Sequence, residues 1–379
     1  QFKGFVTRTT ICVAVGMLIF AERALGASTS EEKHDGDYLA LVQGYADFML
    51  AHGRDTYGSK MTPLFVNTLN LETREMPSAP NKATDFLYKN LFRQSACFAT
   101  ASNPMMQVNL FQLLYALSEV TGDRKYGEAA NTAIKYFFEN CQSPATGLMA
   151  WGEHIAWDVI NEKVATDMLG PRVLDTHEMW RPWIFWDQTI RLAPEAASRF
   201  ATGLWRHQIG DHTTGNFSRH AQYLKHGPSR GAEFPRHGGF YIATWAAVYE
   251  KTRDPELAHA IDVMVSAYLG WRNPRTKILP SVSAEPKSAN PISSLSLAID
   301  LTDARNQVPK AVAEKMDELA SSIDDTFLVI KHRLEPGGKG FGRDINADTL
   351  EIEAVKAAAH ADHPARAARE KEGGQWYPY

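Results

Sequence analysis

The chain has 379 residues, 44% of them hydrophobic and 22% charged, with a formal net charge of −4. That is apolar material for one large core or two small ones. It lacks the basic surplus of a nucleic-acid-binding surface. Its three cysteines, Cys12, Cys97 and Cys141, are too few for a disulfide framework. Cys97 and Cys141 either pair or stay as buried thiols.

Lys3 and Arg8 accompany a short apolar stretch from Thr9 to Ala21, and Ala24-Leu25-Gly26-Ala27 supplies small residues after it. This pattern predicts an export signal over residues 1–27. The stretch is too short to cross a bilayer comfortably, so no stable membrane anchor is expected after cleavage. An uncleaved anchor is the alternative. Residues 28–379 form the expected catalytic domain, placed in the periplasm or outside the cell.

Ser28 to Gly36 reads as a polar linker and Tyr38 to Leu50 as a helix. Gly58 to Ala83, with Pro63, Pro77 and Pro80, reads as a long irregular connection of the kind that often carries function.

From residue 107 a unit repeats. Val108 to Val120 is apolar nearly all round, as in a helix buried on every side. Thr121-Gly122-Asp123 breaks it, and Tyr126, Ala130, Ile134 and Phe137 then form a one-sided stripe. Phe240 to Tyr249, the break Thr252-Arg253-Asp254, and the stripe Leu257, Ile261, Met264, Val265 and Tyr268 repeat the pattern. A third copy runs from Leu295 through Leu301-Thr302-Asp303 to Val308, Val312, Met316, Leu319 and Ile323. The spacing predicts an all-α fold, an (α/α) toroid of helical hairpins with apolar helices inside and amphipathic helices outside. About ten helices can be counted where a ring of six hairpins needs about twelve. The ring is therefore expected to be incomplete at its C-terminal side, and an open solenoid is the alternative.

Three polar segments interrupt this pattern beside predicted helix ends: Gly147-Leu148-Met149-Ala150-Trp151-Gly152-Glu153-His154, Asp175-Thr176-His177-Glu178-Met179-Trp180, and Thr214-Gly215-Asn216-Phe217-Ser218-Arg219-His220. Two imidazoles and a carboxylate suit a divalent transition metal better than Ca²⁺, which prefers all-oxygen sites. Each segment also has an ordinary reading. His154 can be a hydrogen-bonded loop histidine. Asp175 and Glu178 have the spacing of a capping box. Arg219 and His220 can be surface charges, and Trp180, Trp183 and Trp186 core aromatics.

The same segments resemble those of the family 2 polysaccharide lyases, pectate lyases with an (α/α) barrel. Tyr45-Ala46-Asp47, Arg54-Asp55-Thr56-Tyr57-Gly58 and Thr62-Pro63-Leu64-Phe65 are also similar to that family's N-terminal region. The resemblance covers roughly residues 38–280. It implies metal ligation by His154, Glu178 and His220, with Arg219 as the Brønsted base directly before the second metal-binding histidine. The implied metal is Mn²⁺ by preference, then Ni²⁺, Co²⁺ or Zn²⁺. Lys225, Arg230, Arg236 and His237 are candidate substrate contacts, since arginine forks match carboxylates.

The implied reaction is β-elimination across C4 and C5 of a uronic acid. The metal would act on the substrate carboxylate as a Lewis acid and Arg219 would take the C5 proton. A neutral arginine is costly, and a nearby dication in a dry site offsets part of that cost. The expected partner is an acidic polysaccharide or oligouronide, acted on by a monomer. Two rivals stand. A glycoside hydrolase needs two carboxylates at the cleft, for which Asp158, Asp175, Glu178 and Glu233 are available. The other is a non-catalytic polysaccharide-binding protein.

Overall fold

The computed structural model describes residues 38–77, 100–152, 155–166, 176–225, 231, 233–330 and 344–351. The expected export signal, the Ser28–Gly36 linker, Cys97, His154, Asp175 and Arg230 lie outside the described residues.

Nine helices run through the described residues: α1 (Tyr38–His52), α2 (Val108–Thr121), α3 (Arg124–Asn140), α4 (Trp186–Leu192), α5 (Pro194–Gly203), α6 (Pro235–Thr252), α7 (Pro255–Trp271), α8 (Pro291–Ala304) and α9 (Lys310–Ile330). Their packing alternates between two layers. α4, α6 and α8 touch in succession on one layer, and α3, α5, α7 and α9 succeed one another on the other. Hairpin partners α2/α3, α6/α7 and α8/α9 also pack together. This is the two-layered (α/α) toroid class that the repeats predict.

The hairpin breaks follow from local chemistry. After α2, Gly122 takes the left-handed conformation at φ 74° and the Asp123 side chain accepts from the Lys125 amide. After α6, Arg253 does the same at φ 57° and Asp254 accepts from the Glu256 amide. The third copy departs from expectation. Thr302 is followed directly by Asp303, so no residue lies between them to take the left-handed turn. The helix therefore runs on to Ala304, and a 3-10 turn over Arg305–Gln307 follows it.

The amphipathic stripes all face inward. Tyr126, Ala130, Ile134 and Phe137 are buried, as are Leu257, Ile261, Met264, Val265 and Tyr268, and Val312, Met316, Leu319 and Ile323. The inner helices are less uniform. α6 is buried on most faces, whereas α2 leaves Asn109, Gln112 and Val120 exposed, with Val120 at 70%. Among the described residues α2 packs chiefly on α3 and more lightly on α1 and the short 3-10 turn before it, while Phe111 meets the rings of Phe65, Trp183 and Phe185. Helix α6 is gripped by α4, α5, α7 and α8, which accounts for the difference.

One hydrophobic cluster joins Ala46 in α1 to Ile323 in α9. At its centre Trp151 stacks on Phe137 at 5.9 Å and meets Trp183 at 5.2 Å and Phe200 at 5.3 Å. Loss of a ring such as Phe200 from this block costs about 3–5 kcal/mol.

Short strands tie the loops between helices. β1 (Arg54–Asp55) pairs with β2 (Thr62–Phe65), and β2 lies inside the connection read as irregular. β3 (Ala101–Ser102), β4 (Ile155–Asp158) and β5 (Lys163–Thr166) form a three-stranded sheet. β6 (Thr176–His177) pairs with β7 (Ala221–Gln222), and β8 (Ser288–Ala289) with β9 (Ile345–Asn346). None of the described helices is long and apolar enough to cross a membrane.

Candidate metal and catalytic site

The β6–β7 pair is antiparallel, with Thr176 opposite Gln222 and His177 opposite Ala221. One step further along this register puts Glu178 opposite His220, with Arg219 next to it. The side chains meet accordingly. His220 Nε2 lies 3.3 Å from Glu178 Oε2, and Arg219 Nε lies 3.6 Å from Oε1. A third group comes from α6, where His237 Nε2 lies 3.4 Å from Glu178 Oε1. Pro235 opens that helix at its first turn, which suits its fixed φ, and so places His237 at the carboxylate.

Glu178 and His237 are both fully buried, while the Arg219 and His220 side chains remain 30% and 36% exposed. The cluster thus has a dry floor and an open side. Arg219 also lies over the Phe234 ring, 5.6 Å from its centre.

Burial, the largest influence on Glu178, pushes its carboxyl pKa up. Contacts with His220 and His237 and the charge of Arg219 outweigh it, and hold the carboxyl well below the usual carboxylate range. Burial pushes the His237 imidazole down to about 4. Neither His237 ring nitrogen makes a well-aligned hydrogen bond among the described residues. An ionised carboxylate beside a neutral imidazole is the protonation state that metal ligation requires.

Behind the site, Trp151 Nε1 donates to His177 Nε2 at 3.0 Å. His177 Nδ1 lies 2.9 Å from Gln208 Oε1, and Gln208 Nε2 donates to the Ser218 carbonyl at 2.6 Å. Burial lowers the His177 imidazole to about 4. Gln208 ends a π-helical turn, Leu204–Gln208, that continues α5; such turns commonly occur at functional sites.

The Trp151-Gly152 segment is fitted against the same carboxylate-bearing strand. Gly152 has φ 124°, and a Cβ there would fall 2.5 Å from the Glu178 carbonyl oxygen. Only glycine accepts both the conformation and the approach. Buried Asn103 donates to the Gly152 carbonyl at 2.8 Å and reaches the Ile155 carbonyl at 3.4 Å. It pins both ends of the short stretch that carries His154.

The structure therefore brings Glu178 together with the Arg219-His220 pair, which lies far from it in sequence. His154 and Arg230 lie outside the described residues, although the backbone leading to His154 packs on Glu178. Lys225 is exposed beyond β7, and Arg236 is half-buried in the first turn of α6. His237, expected among the substrate contacts, is buried against Glu178 instead. The capping-box reading of Glu178 does not hold: residues 176–177 are strand, residues 178–185 are not helical, and α4 begins only at Trp186. Trp183 and Trp186 are core aromatics as the ordinary reading has it, while Trp180 is half-buried with Arg181 over its ring at 4.8 Å.

Asn103, Gly152, His177 and Gln208 were missed by sequence reasoning. Gly152 and His177 left a trace as members of the polar segments, but neither was given a role. Among the described residues no three His, Cys, Asp or Glu side chains already converge on one metal-sized centre. The donors present pair with one another around the Glu178 carboxylate. Their chemistry, one buried carboxylate with imidazoles beside it, nevertheless suits a divalent transition metal.

Residues 92–238 match the model of the family described as periplasmic pectate lyase. Among solved structures, the chain is similar to cellobiose 2-epimerase from Bacillus thermoamylovorans B4167, with 9% identity over 67% of this chain and 66% of that one, at a TM-score of 0.45. It is similar to a sugar epimerase from a ruminal bacterium, with 11% identity over 91% and 81% of the two chains, at a TM-score of 0.49. An unsaturated glucuronyl hydrolase specific for heparin shows 14% identity over 77% and 84%, at a TM-score of 0.40.

Proposed function

We propose that this chain, a relative of the periplasmic pectate lyases over residues 92–238, is a metal-dependent lyase that cleaves pectate-like uronic acid polymers by β-elimination. That it belongs among carbohydrate-active enzymes follows from the family match; the lyase chemistry, the metal and the substrate are inferred. The observation that carries the inference is the meeting of Arg219 and His220 on the buried carboxylate of Glu178.

In this reading Glu178 and His220, with His154, would hold the cation, which would supply Lewis-acid neutralisation of the substrate's C6 carboxylate. Glu178 engaged in this way no longer serves as the counter-charge of Arg219. Arg219 stands on the open side of the cluster, where a sugar ring would lie. In its neutral form, which a neighbouring dication favours, it takes the proton from C5 and becomes the guanidinium. The C5–H electron pair becomes the C4–C5 double bond, the C4–O4 bond breaks, and O4 leaves with a proton from water. Phe234 under the guanidinium fixes its plane. Arg236, Lys225 and Arg230 are the cations assigned in this reading to neighbouring uronate carboxylates.

His237 has no open face for a sugar. Its place at Glu178 Oε1 makes it an orienting partner of the carboxylate, since groups that hold metal-binding carboxylates are usually hydrogen-bonded in turn. The hydrolase reading loses two of its carboxylates. Glu233 accepts from the Gly231 amide and from the amide and hydroxyl of Ser283. Asp158 caps its own turn through the amides of Ile160 and Asn161. A periplasmic monomer acting on exported or imported polysaccharide fits this chemistry.

The test is incubation of the purified protein with polygalacturonate in Mn²⁺ and after chelation. The expected result is an ultraviolet-absorbing unsaturated uronide that disappears with chelator and returns with Mn²⁺. New reducing ends without that absorbance would favour the hydrolase, and glycan binding without turnover the binding protein.

A further inference from the structure

The buried chain of hydrogen bonds behind Glu178 has a fixed direction. Trp151 Nε1 can only donate, so His177 Nε2 must accept from it at 3.0 Å. The His177 proton therefore sits on Nδ1 and is donated to Gln208 Oε1 at 2.9 Å. That orients the Gln208 amide, whose nitrogen then donates to the Ser218 carbonyl at 2.6 Å. The three bonds span 26, 31 and 10 positions of sequence. Trp151, His177 and Gln208 are all buried, with His177 and Gln208 at 0% exposure.

Each end of this chain abuts a group of the site. Trp151 precedes Gly152, whose Cα touches the Glu178 backbone. His177 immediately precedes Glu178, and the two lie on opposite faces of the strand by alternation. Ser218 immediately precedes Arg219 and His220. The Phe200 ring, 5.7 Å from the His177 ring, walls the imidazole from the other side.

We propose that His177 is a positioning residue: its Nδ1-protonated imidazole joins the 151–152, 177–178 and 218–220 segments into one unit and thereby sets the separations among Glu178, Arg219 and His220. The proposal rests on the lyase reading. It adds to that reading the residue that holds the three segments in register, which the two-residue strand pair β6–β7 is too short to do unaided.

Trp151→Phe cuts one end of the chain while keeping a ring in the aromatic block, and Gln208→Leu cuts the other. Three quantities are read for each variant and for the double variant. These are Mn²⁺ affinity by calorimetry without substrate, kcat and KM on polygalacturonate, and amide hydrogen exchange over 176–178 and 218–222. Each single change is expected to weaken Mn²⁺ binding and kcat by about 10- to 100-fold, with KM little moved. The double variant is expected to be no worse than the worse single one, because one chain is already broken. Trp151→Phe is expected to speed exchange at 218–222, which lies at the opposite end of the chain. Variants with a lowered melting temperature but normal Mn²⁺ affinity, kcat and exchange would reduce the chain to core packing and overturn the proposal. Wild-type protein that binds no Mn²⁺ and makes no unsaturated product would sink the lyase reading instead. The exchange experiment then still decides, since unchanged exchange at 218–222 refutes the joining of the segments.

Discussion

Glu178 and His220 face each other across the continuation of a two-residue strand pair, with His220 Nε2 3.3 Å from Glu178 Oε2. Forty-two positions of sequence separate them, and the loop between holds two helices of the outer and inner layers. The pair is the floor of the proposed metal site. Glu178→Gln keeps the shape and removes the charge, so the fold should survive while Lewis-acid assistance worth several kcal/mol is lost. The expected outcome is a kcat/KM lower by about 10²-fold or more, partly restored by excess Mn²⁺. A melting curve and an activity assay on the same sample check it.

Arg219→Lys should fold and bind both Mn²⁺ and polygalacturonate, yet lose turnover by roughly 10²- to 10⁴-fold. The guanidinium has a fork that can rest over Phe234 while one nitrogen reaches C5–H. An ammonium is a single point and cannot serve both ends. A raised KM with near-normal kcat would make Arg219 a substrate clamp rather than the base.

Gly152→Ala should destabilise and inactivate together. The added methyl would meet the Glu178 carbonyl oxygen at 2.5 Å, and φ 124° is a conformation that alanine resists. The Glu178 strand or the Trp151 ring must shift to make room. The cost is expected at about 1–3 kcal/mol, with loss of Mn²⁺ affinity. By contrast Gly122→Ala, at a surface turn with no atom within 4 Å of the new Cβ, should cost only the backbone strain of its φ and leave Mn²⁺ affinity alone.

Stability should fall as the solution is acidified, through two buried histidines. His177 and His237 are each lowered by burial to about 4, against an ordinary value near 6.5. Between those values the unfolded chain binds protons that the folded chain refuses, so stability decreases as pH falls through that window. Below about 4 this contribution levels off. Glu178, held below the usual carboxylate range, extends the loss to still lower pH. His177→Asn should flatten the part of the melting-temperature profile between pH 6.5 and 4; an unchanged slope would show that His177 is not buried as a neutral base.

The hairpin ring was legible wherever periodicity and caps acted locally. The stripes at 126–137 and 257–268 required one buried face, and Gly122-Asp123 and Arg253-Asp254 stop one helix and start the next within three residues. The third break comes slightly later and through a 3-10 turn, because Thr302-Asp303 lacks an intervening residue for the left-handed turn, a difference of one position that the pattern of apolar residues does not register. Glu178 looked like a helix cap because Asp175 and Glu178 have that spacing. Whether residues 176–177 become strand depends on Ala221 and Gln222, which no local reading contains.

The residue types of the site were therefore set by sequence: a Glu, an Arg-His pair and a motif histidine in a helical chain. Which of them share a carboxylate was decided only in three dimensions. The strand register put His220 and Arg219 on Glu178. The packing of α6 brought His237 there too and closed it off from solvent. Gln208 and Asn103 carry no motif, and His177 sits in one without a role that the motif reveals, since their roles consist of hydrogen bonds across 10 to 52 positions. Hydrophobic periodicity is a property of neighbours along the chain, whereas the pairing of buried polar groups is a property of the finished core, where each donor must find an acceptor once water is gone.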